Sequence, residues 1–105
     1  MGDANTDAVV RQMRDQIIDN DLKLLQAVNA RLALVTKLRA YKASHEIGFV
    51  DHAREDWMKR YLLAANQGPM SEQGVLELFE HLLDLTKRET LEAVQEDAPA
   101  RHGPP

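Results

Sequence analysis

Residues 6–44 read TDAVVRQMRDQIIDNDLKLLQAVNARLALVTKLRAYKAS, a stretch with neither glycine nor proline. Val10, Met13, Ile17, Leu24, Val28, Val35 and Leu38 recur at the three-and-four spacing of one helical face, so the stretch predicts a single long helix from Thr6 to about Ser44. Asn5 or Thr6 is the expected cap, Asp7 suits the positive end of the helix dipole, and Lys37, Arg39 and Lys42 stand toward its negative end. A helix of about 39 residues is about 58 Å long, whereas a domain of this size has a radius of gyration near about 13 Å. Two shorter helices of the same chain cannot cover the whole apolar stripe. The expected architecture is therefore all-α, a three-helix protomer with one very long N-terminal helix, paired in an intertwined homodimer through its long helices.

Outward from that helix, Ser44 to Val50 reads as a loop, because Ser44 and Gly48 interrupt the periodicity. Asp51 then offers an N-cap for a second helix ending near Asn66, with Val50, Trp57, Met58, Tyr61, Leu62 and Ala65 on its apolar face. Gly68-Pro69 stops it. Ser71 caps a third helix, which carries Val75, Leu78, Phe79, Leu82 and Leu83 at helical spacing and runs to about Gln95. Residues 1–5 and 97–105 are expected to be disordered ends around a helical domain spanning 6–96, the second because Pro99, Gly103, Pro104 and Pro105 cannot continue a helix.

Composition excludes several functions. The 105 residues carry 13 Lys and Arg against 17 Asp and Glu, a net charge of -4, so there is no basic excess to replace counterions on nucleic acid. Aromatics make up 5% of the chain, too few for a base-stacking platform. With no cysteine there is no disulfide framework and no thiol nucleophile, which fits a cytoplasmic protein. No apolar run approaches the length of about 20 residues that spans a bilayer. His45, His52, His81 and His102 form no i, i+4 pair, so they read as surface residues rather than metal ligands. No metal or cofactor is expected.

The helical pattern breaks in an orderly way. At about 100° per residue Ile17, Leu24, Val28 and Val35 share one sector of the first helix, and Arg31 and Lys42 fall in or beside it. Arg14 and Asp21 lie along its flank. On the second helix Arg54 follows Val50 by four residues and precedes Met58 by four, which points it along the apolar face. On the third, Thr86 and Thr90 share a sector with Phe79 and Leu83. Any single cation of this kind can snorkel or pair with an acid such as Asp51 or Glu55. Four together repel by a few kcal/mol each at an effective dielectric near about 20 and need compensating anions. A small dianionic ligand would supply them.

This ordered set resembles the all-helical chorismate mutases of the bacterial AroQ type: Arg14-Asp15-Gln16-Ile17, Asp21, Leu24-Leu25, Arg31, Lys42, Asp51, the pair Arg54-Glu55, and a hydroxyl at Thr86. It covers about residues 8–95. The resemblance implies a domain-swapped dimer that rearranges chorismate to prephenate, the step leading from the shikimate pathway toward phenylalanine and tyrosine. By the same resemblance Arg31 would hold one substrate carboxylate, Arg14 would reach the other from the partner protomer, and Lys42 would donate to the breaking ether oxygen. Arg54 would lie beside the carboxylates, Asp51 and Glu55 would bind the ring hydroxyl, and Thr86 stands where the family has a serine near a carboxylate. Lys42, Arg31, Glu55 and Thr90 are then the candidate catalytic residues. Arg14, Asp51, Arg54 and Thr86 complete the substrate-binding set.

Two positions depart from the family pattern. Thr90 stands where a Gln or Glu usually makes the second contact to the ether oxygen, and Lys87 replaces an apolar neighbour, with Glu89 as a compensating acid. Three rival readings remain open at this point. An isochorismate pyruvate lyase and a 4-amino-4-deoxychorismate mutase reuse the same scaffold, and a non-catalytic helical dimerisation module would use the cations only to set register.

Overall fold

The computed structural model describes residues 6–48 and 51–96, with the backbone alone for 92–96. The expectations for the chain ends 1–5 and 97–105, and for Phe49 and Val50, fall outside those residues. Within them the chain is all-helical, with α1 at Ala8–Ser44, α2 at His52–Ala65 and α3 at Glu72–Glu96, and no strand. It divides into two units, 1–31 and 32–105.

In the first unit α1 begins on Asp7, not on Thr6. Asp7 Oδ1 accepts from Val9 N at 2.9 Å and Val10 N at 3.1 Å, and the Asp7 carbonyl takes the Arg11 N–H at 3.0 Å. A carboxylate satisfies two of the four orphan donors and also meets the positive end of the dipole, so it outcompetes the neighbouring hydroxyl. The apolar side chains that follow face solvent, with Ile17 and Leu24 each 59% exposed. Ile18, Leu22 and Leu25 are exposed as well, so apolar surface extends beyond the expected stripe on one flank.

The second unit holds the end of α1 with α2 and α3. Past Ser44 the chain turns through Glu46, whose φ of 57° is left-handed. Ile47 N donates to the Lys42 carbonyl at 2.8 Å and Glu46 N to that of Ala43 at 3.5 Å. That pair of bonds is a Schellman closure with Glu46 in the place that glycine usually takes. The turn therefore falls two residues before Gly48, and it locks the backbone of Lys42. Asp51 caps α2 as expected, its Oδ1 accepting from Arg54 N at 3.0 Å and its carbonyl from Glu55 N at 3.1 Å. Asn66 ends α2, and its Oδ1 accepts from Gly68 N at 3.1 Å. Gly68 has φ 77°, a conformation that favours glycine. Ser71 Oγ then caps α3 by accepting from Gly74 N at 3.0 Å.

α2 packs against α3. Phe79 is the one buried apolar side chain among the described residues, at 4% exposure. Beside it, Leu62, Ala65, Met70, Val75 and Leu78 line an open apolar cleft of about 370 Å³. Among the described residues many large apolar side chains remain exposed, each worth about 1.5–3 kcal/mol when fully buried. No helix among the described residues is long and apolar enough to cross a membrane.

Candidate functional site

Three of the expected residues sit together because of one helix start. Asp51, Arg54 and Glu55 occupy the N-cap and first turn of α2, and the cap bond from Arg54 N to Asp51 ties the first two directly. Asp51 is exposed and commits Oδ1 to the helix backbone. Arg54 was expected along the apolar face. It lies against Trp57 of that face, its guanidinium carbon 4.7 Å from the ring centroid in a cation–π contact three residues along the helix, and both side chains are exposed. Trp57 in turn stacks on Tyr61, with centroids 5.2 Å apart and planes 14° from parallel. The exposed aromatic face is a better partner for the guanidinium than the apolar interior, where a charge would be desolvated.

Glu55 is the most structured member of the set. Its side chain is 24% exposed, with Oε1 3.8 Å from Lys87 Nζ and Oε2 3.8 Å from His52 Nδ1. The acid that meets Lys87 is therefore Glu55 of α2, and Glu89 is exposed. Residues four apart on a helix share a face and residues two apart do not, so Glu89 is poorly placed to answer Lys87. His52 and Lys87 had not been read as part of the site. The signal for His52 was its place three residues before Glu55, whereas that for Lys87 depends on how α2 and α3 pack.

Thr86 and Thr90 lie on the inner face of α3, 4% and 1% exposed. Each hydroxyl donates to the carbonyl four residues earlier, Thr86 to Leu82 and Thr90 to Thr86, both at 2.6 Å. That gives each buried hydroxyl a hydrogen-bond acceptor within its own helix. For Thr90 it has a chemical consequence, because the single proton a contact to an ether oxygen would need is already directed into the helix. Lys42 stands in the last turn of α1, half-buried, where a cation also meets the negative end of the dipole.

In the first unit, Arg14 is exposed and Arg31 is half-buried. Burial pulls the Arg31 pKa below its ordinary value, since loss of water disfavours the charged form. A nearby anion would act in the opposite sense. No group of three or more His, Cys, Asp and Glu placed to hold a metal ion occurs among the described residues.

The residues picked out by the sequence thus include cations at Lys42, Arg31 and Arg14, acids and a cation at the start of α2, and two buried hydroxyls on α3. The family model for Chorismate mutase type II matches residues 13–91, and the chain belongs to that family. A search of curated proteins and a search of solved structures each return no match.

Proposed function

We propose that this protein is a chorismate mutase that works as an intertwined homodimer, converting chorismate to prephenate on the route to phenylalanine and tyrosine in the cytoplasm. The observation that carries this reading is the family match over residues 13–91, because it spans Arg14, Arg31, Lys42, Asp51, Arg54-Glu55, Thr86 and Thr90 in order. The dimer is supported by the exposed apolar side chains of α1 and by the open α2–α3 cleft, which are the surfaces such a pairing would cover.

The chemistry suits the residues. The rearrangement breaks an ether C–O bond as a new C–C bond forms, and it needs no nucleophile, base, metal or cofactor. What accelerates it is selection of the folded conformer and stabilisation of negative charge on the ether oxygen. Arg31, together with Arg14 of a second copy, would grip the two carboxylates, with Arg54 beside them. Lys42 would donate to the ether oxygen. Asp51 and Glu55 would receive the ring hydroxyl, and Thr86 would stand near a carboxylate. Thr90, with its proton committed to the Thr86 carbonyl, contributes less at the ether oxygen than a longer Gln or Glu would, so a slower mutase is expected.

The test is product analysis with chorismate, isochorismate and 4-amino-4-deoxychorismate. Loss of chorismate absorbance with prephenate as product supports the reading. Salicylate and pyruvate from isochorismate, with chorismate untouched, would instead assign the lyase. No turnover, together with no rise in melting temperature in a small cyclic dicarboxylate, would leave a dimerisation module. A bound ligand at a hundredfold over its Kd stabilises by about 2.7 kcal/mol, which a thermal melt resolves easily.

A further inference from the structure

The site at the start of α2 would have to distinguish two rings that differ in one substituent. Chorismate carries a hydroxyl there and its amino analogue an amine, protonated near neutral pH. An isolated carboxylate in a half-buried site favours the ammonium, since a full charge is attracted more strongly than a hydroxyl dipole. Glu55 is not isolated. Lys87 Nζ approaches Oε1 from α3 at 3.8 Å, and His52 Nδ1 stands 3.8 Å from Oε2. Both separations exceed hydrogen-bond reach, so the carboxylate keeps acceptor capacity toward a ligand while its field is offset by a nearby cation.

We propose that Lys87 is a specificity-determining residue, tuning the Glu55 carboxylate to accept a neutral ring hydroxyl and to disfavour a ring ammonium. A second cation brought to Glu55 would meet Lys87 as a like charge, and like charges juxtaposed at an interface are a recognised way to reject the wrong partner. A hydroxyl donor carries no net charge and is little affected. Lys87 need not touch the ligand. It acts through Glu55, which gives a place where the family pattern has an apolar neighbour a chemical purpose in this chain. The inference rests on the chorismate mutase reading above.

The experiment compares the parent protein with Lys87→Met, Lys87→Gln and Lys87→Arg at pH 7. It measures KM for chorismate and the competition constant Ki of 4-amino-4-deoxychorismate against chorismate turnover. In the two neutral variants the ratio of KM to Ki is expected to rise about tenfold, whereas Lys87→Arg, which keeps the charge, should stay within about twofold of the parent. A purely structural role would move KM and Ki together and leave the ratio alone. A ratio within about twofold of the parent in both neutral variants would overturn the role of Lys87. A parent protein that turns over no chorismate would overturn the functional reading itself, and the two failures are therefore distinct.

Discussion

Lys42→Ala is expected to lower kcat at least about a hundredfold while changing KM only slightly, because a donor aimed at a developing oxyanion is worth about 3–4 kcal/mol and acts chiefly in the transition state. The same substitution also removes a cation from the last turn of α1, but that contribution to stability is only about 0.3–1 kcal/mol. The two effects separate cleanly. Circular dichroism should show a helical protein melting within a few degrees of the parent, alongside turnover that is nearly lost. The Schellman closure helps here, since Ile47 N binds the Lys42 carbonyl and does not depend on the side chain. An alanine variant that keeps more than about a tenth of the parental kcat would exclude Lys42 as the donor to the ether oxygen.

Arg31→Ala should act earlier in the reaction. A guanidinium offers a carboxylate two parallel charge-assisted hydrogen bonds, and losing them costs about 3 kcal/mol, or roughly two orders of magnitude in kcat/KM, with much of it in KM. Arg31→Lys keeps the charge and loses the fork, so it should recover only part of the loss. Steady-state kinetics on the three proteins checks this. Equal kcat/KM in Arg31→Lys and the parent would mean that charge alone matters at this position. Equal values in Arg31→Ala and the parent would place the carboxylate elsewhere. Burial disfavours the charged form of Arg31, and an anion bound there would act in the opposite sense.

The parts of the fold that could be read in advance share a local cause. Three-and-four spacing marks the helical segments, and Asp51 and Ser71 announce the starts of α2 and α3 through cap chemistry that involves neighbours only. Choices between adjacent candidates were harder. Asp7 took the first cap from Thr6 because a carboxylate gains from the dipole as well as from two N–H donors. Glu46 adopted the left-handed turn although Gly48 was available, since the hydrogen bonds to Lys42 and Ala43 fix where the helix must end.

The site divides along the same line. Thr86 and Thr90 were placed on the inner face by their position in the helical wheel, and both are buried. Where their protons go was equally local, since a Thr within a helix commonly donates to the carbonyl four residues back. A helical wheel set Arg54 on the face of Trp57, and the structure adds what a wheel does not weigh, the cation–π contact that holds the guanidinium on the exposed ring. The Glu55–Lys87 contact joins α2 to α3 over a separation of thirty-two positions. Nothing in either helix alone encodes it.

The central claim is that cations of two chains assemble around one dianion, and co-refolding of two inactive variants tests it most directly. Arg14→Ala and Lys42→Ala, unfolded together and refolded as an equal mixture, would form mixed dimers in half of the cases. In each mixed dimer one site carries both lesions and the other carries neither, so about a quarter of parental activity should return. A mixture no more active than its two components refolded separately would contradict the account, because Arg14 would then serve the same chain as Lys42 or no site at all.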